Sequence, residues 1–303
     1  MEEINKSRRD LFLGSAAVVA SGALLGVPNV ALAGSTASAA ENAVLRLRQK
    51  LDHYMQELGY SEIQPKPLIV SDTSAGAVCK GASASAYMQT NGGLRYDDEL
   101  IGTSHASYVY QSAARIEDIP KKGLPNVLPY FTIAAIESDD LPDTGAMIDL
   151  IFSFLINNVN LAARNLSVTS TELIFPYKKN IMAFGIPERN IMIRNLDAAK
   201  AAGQGSGWFL NPVTGFSTPS LSVEYQRGRQ KQEIAEIMIL ETSRSDLKGQ
   251  GGGIGMERLA WAQTGRMFTW EQRLPQLLEK IEAEAASRGV PLPIGYTNFL
   301  ESA

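Results

Sequence analysis

Cysteine and histidine are almost absent from this 303-residue chain: Cys79 is its single thiol, and His53 and His105 are its two imidazoles. One cysteine excludes an internal disulfide, and two histidines exclude a histidine-rich metal site. An excess of basic charge is missing as well. Lys and Arg number 28 against 32 Asp and Glu, a formal net charge of −4, and no window gathers Lys and Arg without matching acids. Recognition of a duplex or a tRNA calls for a basic stripe, so this balance argues against a nucleic-acid binder. Long unbroken apolar runs are also lacking. The stretch Ala146 to Leu166 is interrupted by Asp149, Asn157, Asn158 and Asn160, which predicts a buried core helix and no stable membrane span. What is present is 45% hydrophobic residues, enough for a sizeable core, over a length that suits one large domain or two small ones.

Residues 1–33 read as a leader rather than as part of the fold. A charged segment with Arg8-Arg9 precedes the apolar run Gly14 to Val27, and Ala31-Leu32-Ala33 supplies small residues for cleavage. The arginine pair, after Ser7 and before Asp10-Leu11-Phe12-Leu13, is similar to a twin-arginine signal. That implies export already folded, the twin-arginine translocase as a transient partner, and a periplasmic or extracellular destination. Residues 34–42, rich in Ala and Ser, are expected to be a flexible spacer.

Beyond them, Val44, Leu47, Leu51, Tyr54, Met55 and Leu58 recur at helical spacing and Gly59 marks a stop, predicting a helix over Glu41 to Leu58. Ile63 to Val70, broken by Pro65 and Pro67, reads as an extended edge segment, and Val78 to Asn91 as a loop. Strands are expected at Tyr108 to Tyr110, Tyr130 to Ile136, Leu173 to Tyr177, Ile191 to Arg194, Leu221 to Tyr225 and Ile234 to Leu240. Helices are expected at Ile254 to Gln263 and Trp270 to Ser287. A helix, then strands with helices inserted among them and no internal repeat, predicts an α+β fold with an antiparallel sheet.

The sharpest local feature is the run Gly249-Gln-Gly-Gly-Gly-Ile-Gly-Met-Glu-Arg258, glycines leading into a helix that carries Glu257 and Arg258. Such a run lets backbone N–H groups approach an anion at a helix start, with an arginine one turn in to stack on a base or pair with phosphate. It lacks the glycine spacing of a dinucleotide fingerprint and the Gly-Lys-Ser/Thr of a P-loop, and a tight strand-to-helix turn would account for it equally well.

Gly251 to Arg258 followed by Leu-Ala-Trp261 resembles the third signature motif of class II aminoacyl-tRNA synthetases, in particular the alanyl-tRNA synthetases. Other pieces of that family's pattern follow in order. Leu45 to Tyr60 resembles its opening helix, Tyr96 to Gly102 with Ser107 to Ala114 its second motif, and Gly185 to Ile191 a connecting turn. Trp208-Phe209, Phe216 to Gly228 and Glu233 to Arg244 resemble the strands lining its amino-acid pocket. The resemblance covers residues 43–265, the catalytic core alone, and leaves 266–303 as a C-terminal helical extension. The family's tRNA-binding, editing and oligomerisation regions have no counterpart in this length.

The resemblance implies a class II synthetase-like antiparallel sheet flanked by helices, with ATP and Mg2+ as cofactors if carboxylate adenylation is retained and none otherwise. Carried over by position, Arg258, Gly253, Gly255 and Gln111 would hold nucleotide, Gln111 standing where the family has a glutamate. His105 falls where an essential arginine is expected, with Lys80 near another, and a neutral imidazole replaces a bidentate cation poorly. In the amino-acid pocket Trp208 and Phe209 are kept, whereas Glu236, Gly251 and Ser222 replace an asparagine, an aspartate and a glutamate. Glu236 then either supplies the anion that Gly251 no longer offers or is a solvated strand residue. Glu241 and Glu257 are candidate magnesium ligands, with a structural ion pair as the other reading of Glu257. Cys79 reads as a core or loop residue, since Lys80 is its one basic neighbour. Two functions fit: an exported domain that binds an amino acid or related small amine, with adenylation as the ancestral reaction and no tRNA charging, or a non-catalytic binding or assembly protein on the same scaffold. A homodimer, as in many class II enzymes, fits either.

Overall fold

The computed structural model describes residues 29–65, 67–72, 76–79, 87–90, 93–96, 99–102, 106–114, 120–124, 127–138, 141–203, 205–210, 217–239, 250–293 and 296–301. The chain opens with helix α1 (Asn29–Glu57), followed by strands β1 (Ser61–Glu62), β2 (Ile69–Asp72), β3 (Gly76–Cys79), β4 (Tyr87–Thr90), β5 (Gly93–Tyr96), β6 (Glu99–Gly102), β7 (Ala106–Ala114) and β8 (Tyr130–Ser138). Helix α2 (Thr144–Ser153) leads into β9 (Leu166–Thr171), α3 (Lys178–Ala183), β10 (Ile191–Arg194), α4 (Leu196–Ala202) and β11 (Trp208–Leu210). The long hairpin β12 (Ser217–Arg227) and β13 (Gln230–Met238) precedes β14 (Gln250–Gly255), α5 (Met256–Thr264), α6 (Trp270–Arg288) and α7 (Tyr296–Glu301).

The main sheet has the order β1-β7-β8-β14-β13-β12-β9-β10, with β11 added against β12. Its six central strands are antiparallel, and one parallel strand flanks each edge, β1 on β7 and β10 on β9. The antiparallel α+β architecture is the expected one, made mixed by those two short edges. Alternation along each strand gives the sheet two faces. Tyr108, Tyr110, Ala134, Ile136, Val168, Leu221, Val223, Ile237 and Ile254 point to one face. There they join Leu47, Leu51 and Met55 of α1, Met147, Ile148 and Ile151 of α2, and Leu259 and Trp261 of α5 in one apolar cluster. Each such side chain, fully buried, contributes on the order of 2 kcal/mol. Polar ties fix α1 to the sheet edge: Tyr110 donates to Asp52 Oδ1 at 2.7 Å, and the Arg48 guanidinium lies 4.1 Å from the Tyr110 ring centroid. Burial together with the Asp52 carboxylate pushes the Tyr110 phenol well above its ordinary value.

Several elements differ from the sequence expectation. Helix α1 takes in the whole of residues 34–42, expected to be a flexible spacer. Residues 1–28, the bulk of the leader, lie outside the described residues. The chain divides into Met1–Ser38 and Ala39–Ala303. Residues 266–303 belong to the second unit: Leu274, Leu277 and Ile281 of α6 pack on Leu68, Ile69 and Ala114. Glu172–Tyr177, read as strand, is a 3-10 helix closed by Pro176, which cannot donate to a ladder. Helix α2 stops at Ser153 and loosens into a π-turn, Phe154–Asn158, where the asparagines begin. The stretch Val78 to Asn91 contributes residues to β3 and β4, and the rest of it lies outside the described residues. No described helix is long and apolar enough to cross a membrane.

The glycine run is itself a strand. Gln250–Gly255 forms β14 at the centre of the sheet, so its backbone groups enter the ladders with β8 and β13 rather than cradling an anion. A Cβ on Gly252 would lie 2.5 Å from Ile151 Cδ1 and 3.2 Å from the Glu236 carbonyl oxygen, so α2 packs directly on bare backbone. Gly252→Ala is therefore expected to destabilise the fold by about 1–3 kcal/mol through overpacking, read as a lowered urea midpoint; an unchanged midpoint would contradict this close approach.

Candidate functional site

The face of the sheet opposite the helices carries polar side chains at its centre. Register places Val109, Ala135, Gly253, Glu236, Ser222 and Thr169 in one row across six strands. One row further along stand Ser107, Glu137, Gly251, Met238 and Ser220. On the other side of the first row are Gln111, Ile133 and Gly255. The two glycines leave a furrow along β14. A Cβ on Gly251 would lie 2.4 Å from Met238 Cε and 3.7 Å from Glu137 Cγ, which shows the neighbours leaning over the missing side chain.

These rows gather the expected amino-acid residues Glu236, Ser222 and Gly251 on one surface. Glu236 accepts from Ser220 Oγ at 2.7 Å, so it is held in place and is not a freely solvated strand residue. Gly253, expected among the nucleotide contacts, shares the row of Glu236. The pair Trp208-Phe209 is split by strand alternation. Trp208, opposite Pro219, has Lys200 Nζ 5.6 Å from its ring centroid on the α4 side, while Phe209, opposite Thr218, shares the face of Ser220 and Ser222.

Glu137 is the residue that the sequence reading missed. It is 6% exposed, and its Oε2 has no hydrogen-bond partner among the described residues; the same holds for Ser222 Oγ and Thr171 Oγ1, both in residues with no exposed surface. Burial pushes the Glu137 carboxyl well above the usual carboxylate range. The available signal was a single one: a glutamate immediately after the apolar run Tyr130 to Ile136, which reads as a solvated strand end until β14 is known to lie beside it.

Gln111 and Arg258, expected to hold nucleotide, lie at the other end of the furrow. Gln111 is buried at the Gly255 row and donates Nε2 to the Ser112 carbonyl at 2.9 Å. Arg258, one turn into α5, lies against Gly255, donates to the Glu233 carbonyl at 3.2 Å and pairs with Glu233 Oε2 at 3.6 Å. Both residues make these contacts within the protein; His105, Lys80 and Glu241 lie outside the described residues. Glu257 does not fit a magnesium ligand. Its Oε1 takes Arg273 Nη2 at 2.8 Å and its Oε2 takes the Thr132 N–H at 2.9 Å, a buried structural pair among the helices. No group of three or more His, Cys, Asp or Glu among the described residues is placed to hold a metal ion.

No protein-family model matches the chain, and no curated protein matches it. Among solved structures, the chain is similar to an S. aureus histidyl-tRNA synthetase at 13% identity, over 82% of this chain and 73% of that one, with a TM-score of 0.41. It is similar to asparaginyl-tRNA synthetase from Pyrococcus horikoshii at 12% identity, over 75% of this chain and 64% of that one, with a TM-score of 0.44. The asparaginyl-tRNA synthetase of Entamoeba histolytica in complex with asparaginyl-adenylate matches at 15% identity, 76% and 64% coverage and a TM-score of 0.45. The chain spans just under two thirds of the length of the two asparaginyl enzymes.

The Glu137 proton gives a measurable signature. A carboxyl whose folded pKa is raised stabilises the fold below its unfolded value, near 4.5, and loses that contribution as pH rises through the folded value. Glu137→Gln is neutral throughout, so its melting temperature relative to the unsubstituted chain is expected to rise between about pH 5 and about pH 8. A difference that stays flat over that range would mean that Glu137 is not desolvated in the fold.

Proposed function

We propose that this chain is an exported class II synthetase-like domain that binds an amino acid or related small amine in the furrow over β14, with Glu236 as its ammonium anchor. The observation that carries the reading is the single row holding Gly253, Glu236 and Ser222, in which a fixed carboxylate stands beside a strand without side chains. An ammonium group has three donors and no acceptor, and a carboxylate flanked by hydroxyls on a half-buried surface is its natural complement. The motif order in the sequence supports the synthetase reading, and alanyl-tRNA synthetases are the form it most resembles. Adenylation of a carboxylate is the ancestral reaction of that architecture. Gln111 and Arg258 would hold the nucleotide, which supplies the activated phosphate, and the furrow row would hold the amine. Charging of tRNA is not part of the proposal, since the net charge of −4 gives no basic surface for it.

A non-catalytic binder on the same scaffold is favoured by one feature: Arg258 is already paired with Glu233, and Glu257 has no oxygen left for magnesium. Amino-acid-dependent pyrophosphate exchange, run alongside a thermal-shift screen, separates the two. An active domain exchanges and is stabilised by ATP with magnesium, whereas a binder is stabilised by amines alone. In either case Glu236→Gln is expected to weaken amine binding by about ten-fold or more. Failure of every common amino acid and small amine to stabilise the chain would defeat the proposal.

Export is the second half of the proposal. With both Arg8 and Arg9 replaced by Lys, the precursor is expected to accumulate in the cytoplasm on fractionation, and unchanged export would refute the twin-arginine assignment.

A further inference from the structure

We infer that the furrow takes a ligand with two cationic groups, a basic amino acid or a diamine, and that Glu137 is the residue selecting the second ammonium. The inference rests on the amine-binding reading above and names its substrate class.

Glu137 and Glu236 lie on either side of β14, on the same face and one row apart. Two strand spacings across and one side-chain repeat along put their Cα atoms ~12 Å apart. That separation suits two ammonium groups joined by a short methylene chain lying along the glycines. The methyl of Met238 and the side chain of Ile133, the groups nearest the missing Cβ atoms of Gly251 and Gly253, offer that chain apolar contact.

The buried, unpartnered oxygens point the same way. Glu137 Oε2, Ser222 Oγ and Thr171 Oγ1 are acceptors on this face without partners among the described residues, and Ser222 is fully buried. A buried carboxyl without a cation is held neutral at a free-energy cost that a paired one does not carry. Among the described residues no cation pairs with Glu137, and burial alone accounts for the raised pKa of its carboxyl. A ligand ammonium would supply the charge that the described residues do not place beside Glu137. Binding then transfers the Glu137 proton to solvent and leaves an ion pair with the incoming ammonium, so charge balances with no further reactant.

Calorimetric titration of the full chain with L-lysine, cadaverine and L-norleucine tests this. Norleucine has the lysine side chain without its terminal amine. Lysine is expected to bind at least about ten-fold tighter than norleucine, and Glu137→Gln is expected to abolish that preference. Equal affinity for lysine and norleucine on the unsubstituted chain overturns the inference but leaves single-amine binding standing, and it decides the matter even if the variant fails to fold. A lysine preference that survives Glu137→Gln overturns the role of Glu137. Binding of none of the three overturns the amine-binding reading and this inference together.

Discussion

Everything distinctive about this fold depends on a strand that carries almost no side chains. β14 occupies the centre of the sheet, where Gly251, Gly252 and Gly253 sacrifice packing and chain entropy that a β-branched residue would have supplied. What compensates differs on the two faces. On the helix face, the absence of a Cβ at Gly252 admits Ile151 of α2 to van der Waals contact with the backbone. On the other face, the absence at Gly251 and Gly253 leaves a furrow bordered by Glu137 and Glu236. A single local property, the lack of Cβ atoms, thus admits close packing against β14 on both faces at the same position along the chain.

The two buried glutamates make a second contrast. Glu257 lies deep among the helices, yet both of its oxygens are used, by the Arg273 guanidinium and by the Thr132 amide. Such a pair contributes little net stability, because desolvation offsets the attraction, but it fixes the angle between α5 and α6. Glu137 is buried to a similar degree on the opposite face and has no cation beside it among the described residues. Two buried carboxyls thus have opposite partner status: both oxygens of one are matched by the fold, and Oε2 of the other has no partner among the described residues.

The strands were legible where alternation or β-branched runs were dense. β10 matches its predicted bounds, β8 and β12 contain theirs, and β13 overlaps its predicted range from Ile234 to Met238. Leu173 to Tyr177 misled because its apolar residues suit a strand and a 3-10 turn alike, and Pro176 decided the matter. The glycine run left two readings open, an anion-binding turn and a tight strand-to-helix turn, and the structure carries a strand leading directly into α5. Only the positions of β8 and β13 on either side reveal that strand. Of the site, Glu236, Ser222 and Gly251 were legible through motif resemblance. Glu137 was not, because its burial is created by a strand more than a hundred residues later in the chain, and no local pattern carries that information. The splitting of Trp208 from Phe209 was available from the strand period alone, once Trp208–Leu210 was known to be a strand.

That distance in sequence bears on the export proposal. β14 fits between β8 and β13, yet it is made after both, so each presents an unpaired edge until residues 250–255 have been synthesised. An open sheet of this kind is slow to complete and prone to mispairing. A route that threads unfolded chain across a membrane would have to assemble these non-local pairings on the far side, with the edges of β8 and β13 exposed throughout. A route that carries folded protein lets β14 insert, and α5 and α6 close over the core, before the chain moves. β14, α5 and α6 are thus the last parts of the sheet and its helical cover to be made, and the proposed export of an already folded chain is consistent with that order.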